Sequence, residues 1–342
     1  MKEFKGFDKG VNLGGWLSQC LDHYNEEHYS TFILEEDIQK ISSWGLDHVR
    51  LPVDYNVIQT DDGQFIESGF AHIDRAIAWC EKYGLNLVLD IHKACGFVFD
   101  DASYCSFFTD EKMQDLFVQL WQELARRYGN KQNVVFELLN EVTAREFAEP
   151  WNRIAKRTMA AIREIATETK ILIGGIFNSS IFGLTLLEAP FDENVVFTFH
   201  CYSPMPFTHQ GAHWIATMPA DYRMGYPVTA AEMNACSQKI FGDDYYAEYE
   251  SLGDDMLSPA YFEKMFATAL EVSRKFDVPL YCGEYGVIDL ADADSTLRWY
   301  KDIHAALVNH NIPRAAWSYK EMNFGLSGAH YAPVLSELLK AL

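Results

Sequence analysis

Two rhythms alternate along the chain. Short, near-continuous apolar runs are followed by longer stretches in which apolar residues recur every three or four positions. The runs are Gly10–Leu13, His48–Leu51, Asn86–Ile91, Val134–Leu139, Ile171–Gly174, Val195–His200, Leu280–Glu284 and Arg314–Ser318. Apolar at consecutive rather than alternate positions, they predict parallel strands that are covered on their outer face. Between them, Phe70, Ile73, Ile77 and Cys80 share one helical face, and Phe262, Met265, Ala269, Val272 and Phe276 share another. The punctuation agrees. Trp44-Gly45, Tyr83-Gly84 and Tyr128-Gly129 each predict a helix stop with the glycine left-handed, and Ser258-Pro259 predicts a cap followed by proline at the first helical position.

About eight such alternations in 342 residues predict an α/β fold, a (β/α)8 TIM barrel occupying residues 1–342 as one domain. An open doubly wound sheet is the competing fold, and no GxGxxG or Walker-type loop follows the first strand to support it. One connection breaks the rhythm. From Cys201 to about Leu257 no clear helix resumes, so residues 203–257 are expected to form a small inserted subdomain or lid.

Such barrels build their active sites where strands end at the C-terminal face, which turns the strand list into candidates. The second strand ends at Arg50, the third at Asp90 and His92, and the fourth at Asn140-Glu141. The sixth ends at His200 with Tyr202 just beyond, the seventh at Glu284 and the eighth at Trp317. Two carboxylates facing each other across a barrel mouth suit acetal hydrolysis. One protonates the leaving oxygen while the other attacks the anomeric carbon or activates water, according to their separation. Arg50 and Tyr202 are placed to hold Glu284 ionised, and apolar neighbours with His200 to keep the proton on Glu141. Asn140 is placed to bond a sugar 2-hydroxyl, and Trp317 to form a floor under the ring.

Composition narrows the partners. Hydrophobic residues make up 49% of the chain and aromatic residues 14%, a proportion that suits sugar stacking and core filling equally. A formal charge of -21 repels phosphate backbones and anionic lipid, so neither nucleic acid nor a membrane surface is expected as a partner. The 7 cysteines include no CxxC pair and read as free thiols of a reducing compartment. The start, MKEFKGFDKG, carries no apolar h-region, and no apolar run is long enough to span a bilayer. The expected location is cytoplasmic, or secreted after loss of a leader, and the expected state is a monomer.

The motifs VNLGGW (11–16), HVRLP (48–52), LDIH (89–92), LLNE (138–141), FHCYSP (199–204), GEYG (283–286) and AWSY (316–319) together resemble glycoside hydrolase family 5, of clan A. They follow the family's order over essentially the whole chain. Within the family the chain is most similar to the clostridial endoglucanase C group, which shares FTHQ-x-AHW (207–214) and the long insertion after the sixth strand. The resemblance implies Glu141 as acid/base and Glu284 as nucleophile of a retaining hydrolysis. It also implies Arg50, His92, Asn140, His200, Tyr202 and Trp317 around the substrate, with no metal and no cofactor. The implied substrate is a β-1,4 or mixed β-1,3-1,4 glucan. One position departs: where the group carries a second histidine after His92, this chain has Lys93.

Other readings stand beside this one. Lys93 and Lys320 near strand ends would suit a Schiff-base aldolase, but neither explains the carboxylate pair. A metal-dependent amidohydrolase wants HxH on the first strand, where this chain has VNLGG. A non-catalytic sugar-binding barrel is expected to have lost one carboxylate. Within glycosidases, an exo-acting β-glucosidase or β-mannosidase on imported oligosaccharides competes with endo action, and the insertion decides between them by walling or closing the groove. For His209, His213 and Trp214 in that insertion, substrate contact and internal packing remain open alternatives.

Overall fold

The computed structural model describes residues 2–342 apart from residues 21, 102 and 243–252. Strands β1 (Lys9–Asn12), β2 (His48–Asp54), β3 (Asn86–Lys93), β4 (Val134–Glu137), β5 (Ile171–Gly174), β6 (Val195–His200), β7 (Leu280–Tyr285) and β8 (Arg314–Ala316) close a barrel in chain order. Every pairing is parallel, including that of β8 with β1. The chain is a (β/α)8 TIM barrel. All eight predicted runs are strands, with ends displaced by three residues at most. The largest difference is at β2, which continues through Pro52 to Asp54 and stays buried throughout.

Each strand presents one face to the surrounding helices and the other to the barrel interior. Outward residues such as Val49, Leu51, Leu87, Leu89, Val195 and Phe197 join the large core under the helices. Interior residues stand at every second position and form layers. The lower layer is apolar: Val88, Val135, Leu172, Val196, Tyr281 and Ala315 cluster with Phe4 and Phe7 of the N-terminal segment. Two residues further along the strands the interior is polar, holding Asn12, Arg50, Asp90, Glu137 and Thr198, all fully buried.

The helix Glu67–Tyr83 stops at Gly84 with φ 71, and Gly45 has φ 75, as their sequence signals predict. Gly129 differs. It caps the helix Glu111–Tyr128 with φ -63, an ordinary right-handed value. A Cβ there would lie 2.4 Å from the Ala166 Cβ and 2.6 Å from the Ala125 carbonyl oxygen. Glycine is needed for close approach rather than for handedness. Ser258 is the N-cap of Pro259–Phe276, with proline in its first turn.

The 203–257 segment lies between β6 and that helix, and its residues 243–252 are outside the described ones. Its described part contains the short helix Met205–Thr208 and the helix Ala230–Phe241, and a bridge pairs Thr229 with Met256. Among the described residues no helix is long and apolar enough to cross a membrane.

Candidate active site

Arg50 organises the polar layer. Its Nε donates to Glu137 Oε2 at 2.7 Å and one terminal nitrogen to Glu137 Oε1 at 3.1 Å, a two-pronged grip. The same nitrogen reaches Asn140 Oδ1 at 2.9 Å and Asp90 Oδ2 at 3.1 Å. The other donates to Asn12 Oδ1 at 2.9 Å and to Glu284 Oε1 at 2.7 Å. One guanidinium on β2 thus fixes groups on β1, β3, β4 and β7. Its charge is enforced by Asp90, Glu137 and Glu284, which hold its pKa well above the ordinary value against the opposing effect of burial.

Glu284 receives a second donor, the Tyr202 hydroxyl, at 2.8 Å from Oε2. Among the described residues no lysine or arginine forms an ion pair with Glu141. His200 Nδ1 lies 2.8 Å from its Oε1, and Asn178 Nδ2 donates to its Oε2 at 3.3 Å. A carboxylate oxygen of each glutamate and a ring nitrogen of His200 all lie within 4.8 Å of one another.

Burial raises both carboxyls, and their neighbours separate them. Glu141 is pushed to about 7, with Asn178 and Arg50 opposing only in part. Glu284 is also raised by burial, but His200, Arg50 and the Tyr202 hydroxyl pull it back. With Arg50 in direct contact, Glu284 is the member of the pair that ionises first. Burial lowers His200 below its usual value, so the ring is neutral near pH 7.

The remaining predicted residues fall around this pair. His92 Nδ1 faces Asp90 Oδ2 at 2.6 Å, and its ring stacks on Trp317 with centroids 5.8 Å apart and planes 6° from parallel. Trp317 lies over Gly14, where a Cβ would meet the indole at 2.7 Å. That close approach gives a reason for the first glycine of the VNLGGW pair. Asn140 spends its Oδ1 on Arg50, and its buried Nδ2 meets no acceptor among the described residues. All eight residues singled out in the sequence lie in or beside one site.

In the insertion, the His209 ring packs edge-on to Tyr202 at 5.1 Å and to Phe324 at 5.5 Å, so packing accounts for it. Trp214 meets His213 at 5.0 Å and is 46% exposed, so packing does not consume its surface. Lys93 turns to Asp54, 3.9 Å away, a buried carboxylate that also accepts from Ser18 and Tyr24.

Sequence reasoning passed over Asn12, Glu137 and Asn178. Glu137 had a readable signal, because a charge inside an apolar strand must point inward and be paired. Asn12 offered a weaker one as the polar residue of the first strand. Asn178 offered none, since it reaches the site through the backbone conformation of its loop. Phe177, Asn178 and Ser179 take φ of 58, 55 and 53, left-handed values in three successive non-glycine residues. Each costs about 1–3 kcal/mol, and such strain collects at functional sites. Backbone bonds from Phe177 and Asn178 to the carbonyls of Thr143 and Val142, directly after Glu141, hold the run in place.

Comparison with known proteins gives a consistent answer. The family described as Cellulase (glycosyl hydrolase family 5) matches residues 9–323. Cellodextrinase A of Ruminococcus flavefaciens is 43% identical over 92% of this chain and 86% of its own length. Endoglucanase C of Acetivibrio thermocellus is 38% identical over 98% of both. Among solved structures, Cel5A of Thermotoga maritima in complex with cellobiose superposes with a TM-score of 0.77 at 25% identity, covering 98% of this chain and 97% of that one.

Proposed function

Because this chain belongs to glycosyl hydrolase family 5 and is a glycoside hydrolase, we propose that it cleaves β-1,4 or mixed β-1,3-1,4 glucan with retention, by double displacement. Glu141 serves as general acid and then base, and Glu284 as nucleophile. The observation that carries this reading is the short gap between two unequal carboxyls. Oxygens within 4.8 Å match the ~5–5.5 Å of retaining enzymes rather than the ~6.5–9.5 Å that leaves room for water.

In the first step the Glu284 carboxylate attacks the anomeric carbon while protonated Glu141 gives its proton to the departing oxygen. In the second, Glu141 takes a proton from water as water displaces Glu284. Asn140 Nδ2 is the donor for the sugar 2-hydroxyl, a bond that strengthens as charge develops. Trp317, braced by His92, underlies the ring at the cleavage point.

Supporting the glucan assignment are the names of two relatives, an endoglucanase and a cellodextrinase, over nearly the whole chain. The second name also supports a narrower reading in which short soluble oligosaccharides are the working substrate, with the 203–257 insertion walling or closing one end of the groove. Cysteines outside any disulfide support a reducing compartment, in keeping with oligosaccharides taken up from outside and with a monomeric cytoplasmic enzyme.

Product analysis on barley β-glucan, carboxymethylcellulose, laminarin and mannan tests the substrate. A rapid fall in viscosity with mixed oligosaccharides establishes endo action, and monosaccharide released only from short oligomers establishes the exo reading. The anomer first formed, followed by NMR, tests retention; an initial α-product would overturn the nucleophile role of Glu284.

A further inference from the structure

The upper end of the barrel holds more carboxyls than permanent cations. Asp90, Glu137 and Glu284 all form ion pairs with Arg50, and among the described residues no other lysine or arginine pairs with them or with Glu141. The two histidines in contact with this group do not make up the difference, because burial lowers both His92 and His200 below their usual values. Each carboxyl that ionises beyond the first therefore adds a charge that Arg50 has already answered once, in a place where water screens poorly.

Three donors beside this excess already stand as a metal ion would set them. His200 Nδ1 lies 2.8 Å from Glu141 Oε1 and 3.6 Å from Glu284 Oε2. One ligand atom from each of the three residues lies within 4.8 Å of the other two. A divalent transition cation holds nitrogen and oxygen ligands at ~2.0–2.2 Å. Two such ligands stand ~3.0 Å apart at a right angle, ~3.4 Å at the tetrahedral angle and ~4.2 Å on opposite sides of the ion. The two nitrogen–oxygen separations bracket the first two values, so small side-chain rotations close all three donors on one ion. The His200 and Glu284 side chains are 2% and 6% exposed and that of Glu141 is 14% exposed, which makes Glu141 the solvent-facing edge of the set.

The donor set also selects the ion. Mg²⁺ and Ca²⁺ take oxygen ligands, whereas Zn²⁺, Co²⁺, Ni²⁺ and Cu²⁺ accept imidazole together with carboxylate. The ligands are braced from behind, Glu284 by Tyr202 and Arg50 and Glu141 by Asn178, and such bracing strengthens metal binding. We propose that Glu141, His200 and Glu284 form an inhibitory binding site for a divalent transition-metal cation of the Zn²⁺ class. The ion occupies the carboxylate with which Glu284 attacks and the carboxylate on which Glu141 carries its proton, so the loaded enzyme neither attacks nor protonates. It competes with the glucan and is no cofactor of the reaction. The inference rests on the assignment of Glu141 and Glu284 as the catalytic pair.

Co²⁺ added alone to the wild-type enzyme tests the site, because its absorption reports its ligands: nitrogen and oxygen give weak visible bands, and thiolates a strong near-ultraviolet one. One equivalent is expected to bind with the weak bands only. It should inhibit hydrolysis of an aryl β-cellobioside by raising KM with kcat unchanged, and EDTA should reverse the inhibition. Mg²⁺ at the same concentration should leave the rate unchanged. Glu284→Gln and Glu141→Gln should each weaken Co²⁺ binding, followed by calorimetry, by tenfold or more. Thiolate bands at one equivalent, a loss of kcat at unchanged KM, or undiminished affinity in both variants would overturn the site. If both variants lose the ion but the loaded wild-type enzyme keeps its full rate, the coordination stands and the catalytic assignment falls, so the two failures are distinguishable.

Discussion

Two layers of side chains fill the barrel, two residues apart on the same strands and opposite in chemistry. In the lower one Val88, Val135, Leu172, Val196, Tyr281 and Ala315 pack against Phe4 and Phe7. In the upper one Arg50 is shared by Asp90, Glu137 and Glu284, and every partner is out of solvent or nearly so. The lower layer gains from burial at ~25 cal/mol per Å² of apolar surface. The upper layer loses, because buried charges seldom recover their desolvation cost even when well paired. One barrel thus separates stability from reactivity by about 7 Å along its strands, two residues at the ~3.3 Å rise of a strand. Substitutions in the two layers should therefore fail differently.

The largest effect belongs to the upper layer. Glu284→Gln is expected to lower kcat by roughly 10⁴-fold or more while thermal unfolding moves little. A near-wild-type rate would remove the nucleophile assignment, and a collapse of the fold would show that the layer is structural after all. Glu141→Ala should cost roughly 10²–10⁴-fold on substrates with poor leaving groups and far less on dinitrophenyl glycosides, which need little protonation. Equal losses on both would remove the acid/base role.

The pH profile sharpens the same point. The acid must carry its proton in the first step, and burial raises Glu141 to about 7. The kcat/KM of the free enzyme should therefore fall as pH rises through about 7. That limb should disappear in Glu141→Gln when an activated substrate is used. A limb unchanged by the substitution would assign the titration elsewhere.

Arg50→Leu probes the cost of the upper layer itself. It strands Asp90, Glu137 and Glu284 without their cation, and breaking a buried pair costs about 3–5 kcal/mol. The sign with pH follows from the carboxyls. Burial already raises Asp90 to about 7 and Glu137 above its usual value, and losing Arg50 raises them further. A carboxyl raised in the folded state binds protons more tightly folded than unfolded, so stability is present at low pH and is lost as pH rises through the folded value. Denaturation at pH 5.5 and 8 should show the larger deficit at pH 8. An equal deficit at both would mean that losing Arg50 changes no carboxyl's proton uptake on folding.

How much of this was legible in the sequence follows the same division. The barrel could be read because its strands are buried on both faces and so appear as unbroken apolar runs. The facing carboxyls of Glu141 and Glu284 could be read because strand ends locate a barrel's polar groups and the motifs kept the family's order. Strand length could not be read at β2, where Pro52 looks like a terminator although the strand continues to Asp54. Glu137 hides in a run that is otherwise apolar, although its one charge must point inward to be paired. Asn178 was out of reach, since three residues of left-handed backbone bring it to Glu141 and nothing in GIFNSS announces them. Gly129 was read for its conformational freedom when its neighbours needed its missing side chain.

The smallest expected effect on activity lies at the other end of the barrel. Phe7 is 5% exposed and stacks on Phe4 with centroids 4.4 Å apart, and Phe4 meets Tyr281 edge-on at 5.6 Å. Phe7→Ala removes an aromatic ring from the base of the lower layer and should cost about 3 kcal/mol of stability. Tyr281 is hydrogen-bonded to His48 at 2.7 Å, on the strand that also carries Arg50. If the layers are mechanically independent, kcat and the pH limb should stay within about twofold of wild type below the unfolding transition, since distant sites without shared partners add. If kcat falls with stability, the His48–Tyr281 contact transmits lower-layer packing to Arg50, and the division drawn above holds for energetics but not for mechanics. Repeating the substitution with Tyr281→Phe, which keeps the packing and removes the bond to His48, separates the two: an independent upper layer predicts unchanged kcat in both variants, and a coupled one predicts a shared loss of kcat.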